Sequence, residues 1–213
     1  MRARALRVAA QLLAYPDETL YERLPLLTEA AATCGPASVP LTRMCTELAA
    51  TSPREAQTRY VDTFDLRRRC CLYLTYFSHG DTRNRGMALL RFSTAYKVAG
   101  FEVIDGELPD HLAVVCEFTA AEPDAGLDLL RRHRAGLELL RMALADASSP
   151  YLDVIDAVRA VLPDPAPRDM EKALALARSG PPAEEVGLEP FGPPAIAKSR
   201  PSMADMWQLE GRR

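Results

Sequence analysis

DLRRRCCLYLTYFSHGD, residues 65–81, decides the fold. Three arginines run into CCLYLTYF, and no charged residue follows until Asp81. Leu66, Cys70, Tyr73, Leu74 and Phe77 fall at i, i+4, i+7, i+8 and i+11, which predicts one broad helical face. Leu72 and Tyr76 fall on a second flank. A helix apolar on two sides is either buried between neighbours or left open on one side as the wall of a groove.

The same periodicity extends in both directions. Leu6, Ala9, Ala10 and Leu13 keep a three-four spacing until Pro16, and Asp17 stands at an N-cap before Leu20, Leu24 and Leu27. Leu41, Met44, Cys45 and Leu48 make a third stripe, and Pro53 suits the first position of a helix carrying Ala56, Tyr60 and Phe64. Downstream, Met87, Leu90, Thr94 and Val98 share a face, with Leu89, Phe92 and Tyr96 beside them. Pro109 is expected to open a helix with Asp110 in its first turn, where the helix dipole favours an acid. One helix is expected over 126–147 and another over 151–162. FEVIDG, residues 101–106, reads as a loop, and no clean period-two alternation occurs anywhere. The expected fold is all-α, a single-domain bundle of about eight to ten helices.

PDPAP, residues 163–167, ends the main bundle, and a short helix is expected over 170–177. The boundaries are therefore 1–178 for the helical domain and 179–213 for a Pro/Gly-rich tail, expected to be disordered. Within the tail, Met203, Met206, Trp207 and Leu209 form an apolar cluster.

Composition narrows the function. The net charge of −3 gives no electrostatic case for nucleic acid or an anionic membrane surface. The basic start lacks a cleavage signal and no run is long enough to cross a bilayer, so a cytoplasmic location is expected. Five cysteines without CxxC spacing argue against a zinc site or disulfide framework. His79 sits at a helix end and His133, in RRHR, on a solvated face. No Walker loop, HExxH, GxGxxG or Gly-x-Ser-x-Gly is present, so nothing points to an enzyme.

GELPDHLAVVCEF, residues 106–118, is the densest cluster of polar residues that capping alone does not require, notably Glu107 and His111. This segment resembles the E-x-P-D-H motif of the TorD/DmsD/NarJ superfamily of molybdoenzyme assembly chaperones. Residues 60–92 and LLAYPDE, residues 12–18, are similar to the NarJ branch, so the resemblance covers roughly the first two-thirds of the chain. It implies a chaperone that binds the N-terminal segment of the apo catalytic (alpha) subunit of respiratory nitrate reductase. Such a protein holds the client competent for insertion of bis-molybdopterin guanine dinucleotide and for membrane anchoring. It binds no cofactor stably, does not insert in the membrane, and is absent from the finished enzyme. A monomer is expected.

On that reading the client-binding residues are Asp62, Phe64, Asp65, Arg69, Leu72, Tyr73 and Tyr76, with Glu107, Pro109, Asp110, His111, Glu117 and Phe118. Tyr76 and Leu72 would face an amphipathic client helix. Asp62, Asp65, Asp110 and Glu117 would meet its basic residues. Replacing Asp110 by Ala is expected to impair assembly more than stability, and His111 to make affinity vary between about pH 6 and 8. The alternatives are a chaperone for another molybdoenzyme or iron–sulfur oxidoreductase, and a nucleotide-hydrolysing enzyme.

Overall fold

The computed structural model describes residues 1–80, 82–104 and 106–180. The 181–213 part of the expected tail, with its Met/Trp cluster, lies outside the described residues. Eleven α-helices are present among the described residues, ten of them at least eight residues long. None is long and apolar enough to cross a membrane.

Helix α1, Arg2–Leu12, runs through the centre. Leu6, Ala9 and Leu12 are fully buried on it, and its small alanines allow close packing against α7 (Leu112–Ala121). Asp17 caps α2, Glu18–Ala32, by accepting a hydrogen bond from the Leu20 N–H at 2.9 Å. Its Leu20, Leu24 and Leu27 pack on α3, Ser38–Ala49, through Leu41, Met44 and Leu48. A reciprocal capping box between Ser52 and Glu55 starts α4, Pro53–Tyr60.

Beyond Tyr60 the backbone departs from the expected long helix. Val61–Asp65 forms a π turn and Arg68–Cys70 a single 3₁₀ turn, with Arg67 extended between them. Cys70, Leu72 and Leu74 are buried while Cys71 and Tyr73 are half-buried. That is the period of a strand, not of a helix. Tyr73 forms an antiparallel bridge with His111, flanked by Leu112 N–H donating to Leu72 O at 2.9 Å and Leu74 N–H to Asp110 O at 3.1 Å. Leu66, expected on the buried face, is 71 % exposed. Only the four-residue α5, Tyr76–His79, remains of the expected helix, and Gly80 closes it at a positive φ of 55°.

Helix α6, Arg83–Val98, buries Ala88, Phe92 and Tyr96. Its Met87, Leu90 and Val98 point outward, at 64, 56 and 85 % exposure, so the apolar stripe expected to face the core does not. Residues 101–104 carry no regular structure, as expected of that loop. Helix α7 begins at Leu112, three residues later than Pro109 suggests.

The helix expected over 126–147 is two: α8, Pro123–Arg132, and α9, Arg134–Asp146, broken at His133. The RRHR segment is correspondingly solvated only in part, with Arg131 and Arg132 exposed and His133 half-buried. Arg134 is 4 % exposed and donates from Nε to Glu138 Oε1 at 2.8 Å; Arg159 of α10, Leu152–Ala160, donates to the same oxygen at 2.9 Å. His133 stacks on Phe92 at 4.9 Å, and burial drives its imidazole down to about 4. The last helix, α11, Pro167–Ser179, is longer than expected and lies against α9.

Candidate functional site

The segment 71–79 and the turn 107–111 are stitched together by one carboxylate. Asp110 Oδ2 accepts from the Thr75 N–H at 3.0 Å and from Thr75 Oγ1 at 2.6 Å. Both residues are fully buried. Arg85 of α6 brings Nη2 to 4.0 Å from the same oxygen and donates from Nε to Thr75 Oγ1 at 3.3 Å. Its guanidinium also lies 5.5 Å from the Tyr73 ring centroid and 5.9 Å from that of Tyr76, a cation held between two aromatics. Asp110 Oδ1 and His111 Nδ1 are buried with no hydrogen-bond partner among the described residues.

Asp110 therefore does not sit in the first turn of α7, and it is fully buried at 0 % exposure. Its side chain serves backbone 35 residues upstream instead. His111, 8 % exposed, packs edge-on against Tyr73 at 5.3 Å. Burial lowers its pKa, opposed by Glu107 and Asp110 nearby. Its pKa consequently lies below the ordinary histidine value.

Two clefts open on either side of this stitch. The larger, about 650 Å³, has an apolar floor of Val114, Phe118 and Phe101. Glu102, Glu107 and Glu117 rim it, and Arg7 and Gln11 of α1 close one end. Phe118 is held by ring contacts to Tyr96 at 4.5 Å and Phe101 at 5.9 Å. Glu117 accepts from Gln11 Nε2 at 3.1 Å, and Glu107 Oε1 accepts the Tyr73 hydroxyl at 3.1 Å and the Leu108 N–H at 2.7 Å. Burial, with Glu107 beside it, pushes the Tyr73 phenol up to about 12, so it stays a donor at neutral pH. Pro109 O accepts the Tyr96 hydroxyl at 2.5 Å, fixing the turn to α6.

The smaller cleft, about 410 Å³, lies between α5, α9 and α11. Tyr76, Phe77 and Met142 line it, with Arg68, Arg69 and Asp146 at its edge. The expected site residues are thus divided. Glu107, Glu117 and Phe118 belong to the larger cleft and Arg69 and Tyr76 to the smaller, while Tyr73, Asp110 and His111 form the wall between. Leu72, 4 % exposed, faces the core and lines neither opening. Phe64 packs with Tyr60 and Tyr151 at 4.8 Å each, also in the core. Asp62 and Asp65 are exposed on the π turn, away from both clefts. Sequence reasoning missed Phe101 and Glu102, whose signal was an aromatic and an acid inside a short loop, and Val114, one turn from Glu117 and Phe118 on α7. No group of three His, Cys, Asp or Glu side chains among the described residues is placed to hold a metal ion.

The profile of the nitrate reductase delta subunit family matches residues 26–156. The chain belongs to that family. It is 47 % identical over 125 residues to the nitrate reductase-like protein NarX of Mycobacterium tuberculosis, which covers 58 % of this chain and only 19 % of NarX. The chain thus spans about a fifth of that curated relative. NarJ of Bacillus subtilis is 31 % identical over 154 residues, 71 % of this chain and 84 % of that one. NarJ of Escherichia coli K12, a nitrate reductase molybdenum cofactor assembly chaperone, is 30 % identical over 158 residues, 70 % of this chain and 65 % of its own. Among solved structures, a redox enzyme maturation protein of Archaeoglobus fulgidus superposes with a TM-score of 0.58 at 25 % identity, covering 74 % of this chain and 91 % of that one. Family membership thus joins the motif residues Glu107–His111 to the NarJ-type fold.

Proposed function

We propose that this chain is a system-specific assembly chaperone for a respiratory nitrate reductase. In this reading it binds the N-terminal segment of the apo catalytic subunit and keeps that subunit open to bis-molybdopterin guanine dinucleotide, then leaves. It makes and breaks no covalent bond and acts in the cytoplasm as a monomer. The single observation that carries the reading is the acid-rimmed apolar cleft beside the motif. Glu102, Glu107 and Glu117 over Val114 and Phe118 suit an amphipathic helix with basic flanks. The names of the family's relatives support the same role.

Magnitudes agree with a binder that must release. Four apolar anchors near ~3 kcal/mol each, less about 4 kcal/mol for ordering the client, give binding near micromolar, about −8 kcal/mol. Calorimetry of the full chain with the client's N-terminal peptide tests this. Glu117→Lys is expected to weaken binding at least tenfold, about 1.4 kcal/mol, and Arg69→Glu at the smaller cleft to leave it unchanged. No heat with the parent protein, or the reverse order of the two variants, overturns the assignment.

A further inference from the structure

Helix α6 has an organisation that the client cleft does not use. Its sequence RNRGMALLRFSTAYKV contains Arg83, Arg85, Arg91 and Lys97 and no acid, within a chain of net charge −3. Its inner side is fixed in place: Phe92 is fully buried against His133, and Tyr96 is 2 % exposed against Phe118. Arg85 turns inward to Thr75 and Asp110. The outer side presents Met87, Leu90 and Val98 along one line. At 100° per residue these three lie within about 80° of arc, spread over about 16 Å of helix, with exposed Thr94 between Leu90 and Val98 and exposed Arg83 at the N-terminal end of the same arc. Exposed Arg91 stands on one flank of the line and exposed Lys97 on the other. Glu102 and Glu107, the next acids described along the chain, rim the larger cleft instead.

We propose that this face of α6 adsorbs to an anionic phospholipid surface, lying in the headgroup plane without crossing the bilayer. An apolar line flanked by cations is the pattern of an interfacial helix. A nucleic acid would gain nothing from Met87, Leu90 and Val98, and an acidic groove on a protein is the competing occupant. The net charge of the whole chain concealed the patch, because adsorption responds to the field within about one Debye length, not to the sum. The proposal does not depend on the client reading, since α6 contributes only Tyr96 to the larger cleft.

The test is co-sedimentation of the full chain with vesicles of phosphatidylglycerol and phosphatidylcholine, against phosphatidylcholine alone. The parent is expected to partition onto the anionic vesicles at about 50 mM salt and to be released at about 500 mM. Arg91→Gln with Lys97→Gln should lower the partition coefficient about 25-fold, roughly fivefold per cation. Met87→Ser with Leu90→Ser should lower it at least tenfold. Both pairs lie on the exposed face, and unchanged helicity with unchanged client-peptide affinity verifies that only this surface was altered. Equal partition onto neutral vesicles, or variants that partition like the parent, overturns the proposal. So does absence of vesicle binding together with saturable binding of polyglutamate through Arg91 and Lys97, which would assign the face to an acidic protein.

Discussion

Replacing Asp110 by Ala tests the stitch directly. The substitution removes a carboxylate oxygen that accepts two hydrogen bonds, from Thr75 N–H and Thr75 Oγ1, in a fully buried position. Each such bond to a charged acceptor contributes about 1.5–3 kcal/mol. Thr75 keeps a buried N–H and hydroxyl, and Arg85, with its side chain only 16 % exposed, loses its neighbouring carboxylate. Breaking a buried charged arrangement from one side costs about 3–5 kcal/mol, a large share of a domain's ~5–15 kcal/mol. The sequence leads to an expectation that Asp110→Ala impairs assembly more than stability; this burial predicts a large loss of stability as well. Asp110→Asn keeps an acceptor in place and loses only the charge, so about 1–2 kcal/mol is expected. Urea unfolding followed by far-ultraviolet circular dichroism measures both through the midpoint at constant m. Adding Thr75→Val to Asp110→Ala removes the stranded hydroxyl and should recover about 1 kcal/mol. An Ala variant within about 0.5 kcal/mol of the parent, or an Asn variant as damaged as the Ala one, would refute the reasoning.

Gly126→Ala should cost about 2 kcal/mol or more despite alanine's better helix propensity, because its Cβ would lie 2.4 Å from Thr119 Cα on the facing α7; urea midpoints check it. His133, held down to about 4 by burial, takes up its proton in the unfolded chain first as the pH falls. Its contribution to stability is therefore present above about pH 6.5 and lost progressively towards about pH 4, by at most about 3 kcal/mol given its partial exposure. His133→Gln should flatten that part of the stability–pH curve, and an unchanged slope contradicts the assignment. Glu138→Gln leaves Arg134 and Arg159 facing a neutral amide and should cost about 3 kcal/mol, read from thermal unfolding. Tyr73→Phe removes one exposed hydrogen bond to Glu107 and should change stability by no more than about 1 kcal/mol while weakening client-peptide binding in calorimetry.

Most of the helices were legible because their signals are local. The Asp17 cap, the Pro53 start, and the spacing of Leu41, Met44 and Leu48 each act within one or two turns, and each is where it was expected. The failures share a cause. CCLYL contains no polar residue, so strand alternation and a doubly buried helix give the same string; only exposure separates Cys71 and Tyr73 from Cys70, Leu72 and Leu74. Met87, Leu90 and Val98 carried the same ambiguity in α6. A periodic stripe names a face but not its direction, and Phe92 and Tyr96, larger and better partnered, took the interior.

The site was legible only as a pair of segments, and the reason lies in the range of its interactions. Pro109 and Asp110 have the local appearance of a helix start, since a proline followed by an acid satisfies the first turn without outside help. In the folded chain the acid's Oδ2 is already committed to Thr75, and the Asp110 and Leu72 carbonyls to Leu74 and Leu112. Those bonds hold Asp110 in a turn and His111 in the extended pairing, and delay α7 to Leu112. No window of sequence contains both partners. The same commitment places the motif's acid beneath the surface. Asp110 fixes the backbone that carries Tyr73 and Tyr76, Tyr73 ties that backbone to Glu107, and Glu107 is the member that reaches the cleft rim. A substitution at Glu107 should therefore change recognition with little loss of stability, whereas one at Asp110 changes both. This ordering follows from burial and would not follow if the two residues met the client side by side.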